Sequence, residues 1–264
     1  MIFIIKCEVI FLSIDLNVFE GMTSISALIN SIKSGKNDRK IHRILFDQSK
    51  VKSKRPELSF LKANSNILGY ELEICDAEKI NSLANGTSHG GIVALCGDRI
   101  IQNLTVESIV PNGVYYMLEG IEDPYNFGNS IRSVYAAGAD GIIVGRRNWM
   151  GAAGVVARSS AGTSELIDMY VADSSEEAVD IFKSAGYSVI CAGIRDSVDL
   201  FEADLKKPLF VIIGGEKRGI SRAVLDMADQ IVRIEYQKDF RGSLSTSASA
   251  AIFAFEINRR SRNL

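Results

Sequence analysis

From about residue 110 onward the chain alternates between two kinds of segment. The runs Val114–Leu118, Gly141–Val144, Leu166–Val171, Tyr187–Ile194, Leu209–Ile213 and Ile231–Ile234 are apolar along nearly their whole length. Between most of them lie helical patterns, at Asn129–Ala137, Glu176–Ala185, Ser221–Ala228 and Ser247–Arg260. A strand buried on one face alternates apolar and polar residues, whereas one covered on both faces is apolar throughout. The pattern therefore predicts an α/β domain built on a parallel sheet with helices on both sides. Ligands on such sheets sit beyond the carboxyl ends of the strands, so the loops leaving the strands are where chemistry is expected.

Upstream the pattern is mixed. Ile25, Leu28, Ile29 and Ile32 recur at helical spacing, and Ile41–Phe46, Leu68–Ile74 and Gly91–Leu95 read as strands. Leu104–Pro111 reads as a connection, which divides the 264 residues into an extension (1–21), a small α/β domain (22–105) and the parallel-sheet domain (106–264). The apolar opening Met1–Ile14 is interrupted by Lys6 and Glu8 and is too short to span a bilayer. Net charge is −2, but ten Lys or Arg against three acids fall between Lys33 and Lys62. Such a cluster can neutralise phosphates, and it is equally what a solvated surface looks like. Cys7, Cys75, Cys96 and Cys191 are scattered and there are two histidines, so neither a metal site nor a disulfide framework is expected, and a reducing cytoplasm is.

Three loops carry the chemistry. The first runs from Glu119 to Arg132, with Pro124 and Gly128 punctuating a turn that Asn126 caps or bridges. In the second, Gly214 and Gly215 end a strand and permit close backbone approach, followed by Glu216, Gly219 and the helix cap Ser221. The third places Ser243, Ser245 and Ser247 at the start of an alanine-rich helix, where hydroxyls and unpaired N–H groups make a polar ligand site. Taken one at a time, each loop is also explained as a turn or a capped helix.

Their order and spacing resemble the SpoU (TrmH-like) family of RNA 2′-O-ribose methyltransferases in the SPOUT superfamily. The matching residues are Asn126-Phe-Gly128 with Arg132, Gly214-Gly-Glu216-Lys-Arg-Gly219-Ile-Ser221, and Ser243-Leu-Ser245-Thr-Ser247. Ser159-Ser-Ala-Gly162-Thr-Ser-Glu165 is similar to a further stretch of the family, and Ser88–Ala94 to the end of its ribosomal-protein-like substrate-binding domain. The resemblance implies a C-terminal deep trefoil knot, S-adenosylmethionine as cofactor, a homodimer, and structured RNA as substrate, ribosomal RNA ahead of transfer RNA. It places Gly214, Gly215, Ile234, Leu244 and Ser245 around the cofactor. It gives Arg132, Asn126, Glu216 and Ser243 catalytic roles, with Asn126 orienting Arg132.

Two departures bear on activity. Ser245 stands where the family has asparagine, and Ile234-Glu-Tyr-Gln-Lys-Asp-Phe replaces the usual Ile-Pro-Met. An RNA-binding protein on the same scaffold without turnover is thus a competing expectation. A nucleotide-dependent oxidoreductase is another, resting on Gly151-Ala-Ala-Gly154 with Asp173 downstream, but that segment lacks Gly-x-Gly.

Overall fold

The computed structural model of the chain describes residues 16–146, 152–215, 217 and 219–262. The first unit comprises β1 (Asn17–Glu20), α1 (Gly21–Lys33), β2 (Ile41–Asp47), α2 (Arg55–Leu68), β3 (Glu71–Cys75), α3 (Ala77–Leu83) and β4 (Ile92–Cys96). Its sheet runs β1-β4-β2-β3, with β2 and β3 parallel and both β4 contacts antiparallel. The helical spacing read in α1 buries Ile25, Leu28 and Ile29 against Ile44, Phe46 and Ile92. Helix α2 lies in the cation-rich stretch; Pro56 occupies its first turn and Gly69, in the left-handed region, ends it.

The second unit comprises β5 (Gln102–Asn103), β6 (Val114–Glu119), α4 (Pro124–Ala136), β7 (Gly141–Gly145), α5 (Ala153–Ser159), β8 (Asp168–Ala172), α6 (Ser175–Ser184), β9 (Ser188–Ala192), β10 (Val198–Asp199), β11 (Leu209–Gly214), α7 (Arg222–Met227), β12 (Gln230–Arg233) and α8 (Thr246–Ser261). Its sheet, ordered β10-β12-β9-β11-β6-β7-β8-β5, is parallel throughout. One face packs Val114, Tyr116 and Leu118 against α4 and α8; the other packs Tyr115 and Met117 against α6 and α7. The boundaries shift from those expected. Strand β1, inside the expected extension, pairs with β4 of the first sheet, while β5, inside the expected first domain, joins β8 of the second. Both are short edge strands, which carry little periodic signal.

The chain runs β6, β7, β8 outward, then crosses to β9, and only later inserts β11 between β9 and β6. This reversal is a topological switch point, where parallel sheets open a crevice at their carboxyl ends. The two units are also in close contact. Ser24 Oγ donates to Ala157 O at 3.3 Å, and a Cβ on Gly154 would lie 2.8 Å from the Val18 carbonyl carbon. Gly154 therefore serves close packing between the units rather than a dinucleotide turn, and Gly151 lies outside the described residues.

Candidate active site

A cavity of about 680 Å³ opens at the switch point, within the range of about 300–1,000 Å³ that small-molecule sites occupy. Its walls come from the ends of three strands and the loops that follow them: Ala192-Gly193-Ile194 of β9, Ile213–Gly215 with Gly219 and Ile220 of β11, and Val232–Tyr236 with Phe240–Leu244 of β12. Leu225 of α7 and Thr246, Ser249 and Phe253 of α8 close it. The glycine loop folds back on itself, with Gly219 N donating to Gly215 O at 3.0 Å. A Cβ on Gly214 would lie 2.6 Å from the Gly219 carbonyl carbon, and one on Gly215 would lie 2.6 Å from that of Gly120. Only glycine permits both approaches. Gly219 itself has φ +62° and open space where a Cβ would be. Below it, Ser221 caps α7 by accepting from Val224 N at 3.3 Å. The third segment is fixed to the same frame: Leu244 N donates to the Tyr236 hydroxyl at 3.1 Å, and Thr246 Oγ1 donates to Gly214 O at 3.2 Å.

The first loop meets the other two at an adjoining cavity of about 280 Å³ lined by Gly120–Asp123, Asn126, Lys217 and Thr246. Gly215 N donates to Glu119 O at 2.6 Å, and Lys217 pairs with Glu122 at 2.6 Å. Here the local structure differs from the expected turn. Asp123, not Asn126, caps α4, accepting from Tyr125 N at 3.1 Å and Asn126 N at 3.4 Å, with Pro124 in the first helical position. The helix starts five residues before the expected Asn129, and Gly128 lies inside it, buried against α5.

Of the residues expected around the cofactor, Gly214, Gly215, Ile234 and Leu244 line the larger cavity, as does Ser243. Ser245 does not line it; its hydroxyl caps α8, accepting from Ala248 N at 3.2 Å. Glu216 lies outside the described residues. Asn126 lines the smaller cavity, but Arg132 is exposed on α4 and lines neither. Six residues along a helix place two side chains about 120° apart around its axis. Along one helix the two side chains therefore leave α4 in different directions. The stripe that does include Arg132 carries Tyr125, Asn129 and Ala136, all exposed, with exposed Tyr135 beside it.

Gly193, Ile194, Tyr236, Phe240 and Thr246 also build the site and were not singled out from the sequence. Gly193 alone had a signal, a glycine at a strand end. Glu119, last residue of β6, has one buried carboxylate oxygen without a hydrogen-bond partner among the described residues. Burial raises its carboxyl above the ordinary value of 4.5, the charge of Glu176 adds to this, and a hydrogen bond with Ser175 opposes it.

A doubly covered parallel sheet with a ligand-sized cavity at its switch point and a small α/β unit docked beside it defines a two-domain α/β architecture. Residues 113–255 match the SpoU rRNA Methylase family, and residues 20–99 match the RNA 2′-O ribose methyltransferase substrate binding family. The chain belongs to the SpoU rRNA Methylase family. It is 26% identical over 212 residues to the 23S rRNA (guanosine-2′-O-)-methyltransferase RlmB of Shewanella oneidensis, covering 78% of this chain and 85% of that protein. It is 25% identical over 249 residues to the protein of that name from a Burkholderia species, covering 93% and 97%. The crystal structure of an RNA 2′-O ribose methyltransferase superposes with a TM-score of 0.76 at 24% identity, covering 96% of this chain and 91% of that one. An AdoMet-bound rRNA methyltransferase from Sinorhizobium meliloti superposes with a TM-score of 0.75 at 22% identity, covering 93% and 87%.

Proposed function

We propose that the protein transfers a methyl group from S-adenosylmethionine to a ribose 2′-hydroxyl of ribosomal RNA. The observation that carries this reading is the convergence of the three loops: Thr246 lines both the larger cavity and the smaller one that holds Asn126 and Lys217. The larger cavity fits the cofactor's chemistry. Ile194, Ile220, Ile234, Leu244 and Phe253 offer apolar surface to a nucleoside, and Gly193, Gly214 and Gly215 let it approach the backbone closely. Gly219 leaves a cradle free of side chain. Bound there, the cofactor supplies an electrophilic methyl group.

The ribose hydroxyl is a poor nucleophile near neutral pH, so the protein's work is alignment and stabilisation of developing alkoxide charge. Arg132 supplies that charge stabilisation and holds the adjacent phosphate. A guanidinium offers five donors and no acceptor, which suits Arg132 to holding negative charge. Because Arg132 lies away from its own chain's cavities, the reading includes a homodimer in which it completes the partner's site, where Asn126 of that partner meets it. The exposed aromatic stripe of α4 and exposed Phe255 on α8 support an interface there. Glu216 and Ser243 hold the loops and substrate.

The same reading gives residues 235–245 a knotted path. Glu235, Tyr236 and Phe240–Leu244 of that stretch line the cavity together with the β9 and β11 loops, and Thr246 then reaches Gly214 O. The first unit is the RNA-binding domain, beginning at β1 and ending near residue 99, with a cytoplasmic home for both. The departure at Ser245 leaves the cavity wall intact, since that hydroxyl caps α8, and so favours turnover over an inactive scaffold. The test is transfer of labelled methyl from S-adenosylmethionine into unmodified ribosomal RNA by the full-length protein, with loss of about a hundredfold or more in Arg132→Ala, the scale of one removed oxyanion donor. Tight RNA binding without incorporation by the wild type would establish the inactive alternative instead.

A further inference from the structure

The stretch Ser159–Glu165, which the active site does not use, ends in a buried carboxylate at the contact between the two units. Glu165 is 4% exposed, and the partners of its carboxylate and carbonyl come from the first unit. Arg39 Nε donates to Glu165 Oε2 at 3.2 Å, and Asn37 Nδ2 donates to the same oxygen at 2.8 Å. Ser31 Oγ donates to the Glu165 backbone carbonyl. Arg39 is itself 6% exposed, donates to Gly97 O at 2.7 Å and stacks over the Phe19 ring at 5.0 Å. Beside it Arg99 donates to Ser164 O at 3.0 Å. Gly162, with φ +84°, brings this turn so close to α1 that a Cβ would lie 2.5 Å from that of Ala27. A second contact, Arg158 to Glu20 at 2.7 Å, closes the other end of the junction.

Domains in one chain are expected to move relative to each other unless their interface is large and apolar. Here a small apolar contact, Ala153 and Ala157 of α5 against the first unit's core, is joined by a buried polar network in which Glu165, Arg39 and Arg99 find partners across the junction. The geometry points to Glu165 as a positioning residue: it clamps the RNA-binding unit at one fixed placement beside the methylation site, so that a substrate must present its two contact regions at a matching separation. This rests on the reading of the protein as an RNA methyltransferase with RNA bound by both units. When the clamp is removed the docked form becomes a fraction of the population, and apparent affinity for a substrate spanning both units falls by that fraction.

The experiment uses the full chain with Cys7 and Cys75 changed to serine and spin labels at Asn66→Cys on α2 and Asp180→Cys on α6, both exposed positions. The otherwise unaltered labelled protein gives one narrow distance distribution, and Glu165→Ala broadens it. In the unlabelled enzyme the same change raises KM for unmodified ribosomal RNA by about tenfold, for a docked fraction of about one tenth, with kcat at saturating RNA and the Kd for S-adenosylhomocysteine kept within about twofold. Glu165→Gln, which retains an oxygen acceptor for Asn37 and Arg39, restores the narrow distribution and most of the KM. A distribution left narrow in Glu165→Ala, or a broadened one with KM unchanged, overturns the inference. If Glu165→Ala does not fold, Asn37→Ala takes its place with the same expectations. Should the wild type transfer no methyl group, the proposed function fails, and the distances together with the RNA Kd still decide whether Glu165 clamps the units.

Discussion

Glu119 shows what a single carboxylate contributes where the sheet meets the glycine turn. Its backbone carbonyl receives Gly215 N, so the residue holds the glycine turn, while its side chain faces the start of α6 with one oxygen unpartnered among the described residues. A carboxyl raised by burial binds its proton more tightly in the folded state than in the unfolded one. Stability is therefore lost as pH rises from about the ordinary 4.5 through the folded value, because only the folded protein still holds the proton in that window. Glu119→Gln carries no such charge. The variant is expected to melt higher than the wild type at pH 7.5 and to match it more closely near pH 4.5, read by thermal unfolding across that range. A wild type that gains on Glu119→Gln as pH rises would show the opposite sign. Nothing in the sequence marks this residue: it reads as the polar end of a strand, and its environment is set by Ser175 and Glu176, more than fifty positions away.

Elements were legible in proportion to their periodicity. The six long apolar runs became the inner strands of the parallel sheet, because a strand buried on both faces cannot hide its composition. Two-residue strands such as β5 and β10 have no room for a period. Helix α5 carries no helical signal because its glycine and alanines read as a dinucleotide turn, and α4 begins before Asn129 because Gly128, which reads as a turn residue, lies inside it. The structure gives that glycine another cause: α4 and α5 pack so closely that a Cβ at Gly128 would lie 2.8 Å from the Val156 carbonyl oxygen and 3.0 Å from Ser159 Cβ. An alanine favours a helix interior over glycine by about 1 kcal/mol, while forcing a methyl into a packed contact costs about 1–3 kcal/mol. The second term wins where the obstacle is backbone. Gly128→Ala should lower the urea midpoint with an unchanged slope, whereas a raised midpoint would mean that α5 yields without cost.

At the scale of the whole molecule the site was recognisable as three loops in the right order, but its assembly was not, since Arg132 and Asn126 share a helix yet face apart and Glu165 finds Arg39 only 126 positions away. Charge is likewise a matter of arrangement. A net charge of −2 opposes binding to a polyanion, yet the first unit carries exposed or half-exposed Lys50, Lys52, Lys54 and Arg55 in one run where α2 begins. None of the four is in an ion pair among the described residues, unlike Lys36, Arg39 and Arg43 of the same stretch, which pair with Asp168, Glu165, and Glu71 with Glu73. The cluster is thus smaller than the sequence count, and its free members stand on the unit that Glu165 holds in place. If these cations contact RNA phosphates, each displaces counterions, and log K for RNA falls linearly with log salt concentration with a contribution of about 0.7–0.9 per contact. Changing Lys50, Lys52, Lys54 and Arg55 together to glutamine should flatten that slope by about 3 and leave S-adenosylhomocysteine affinity unaltered, since no member of the run lines the cofactor cavity. A slope that stays the same while RNA affinity remains intact would move the phosphate contacts to another face of the molecule, and with it the second point at which the substrate is held.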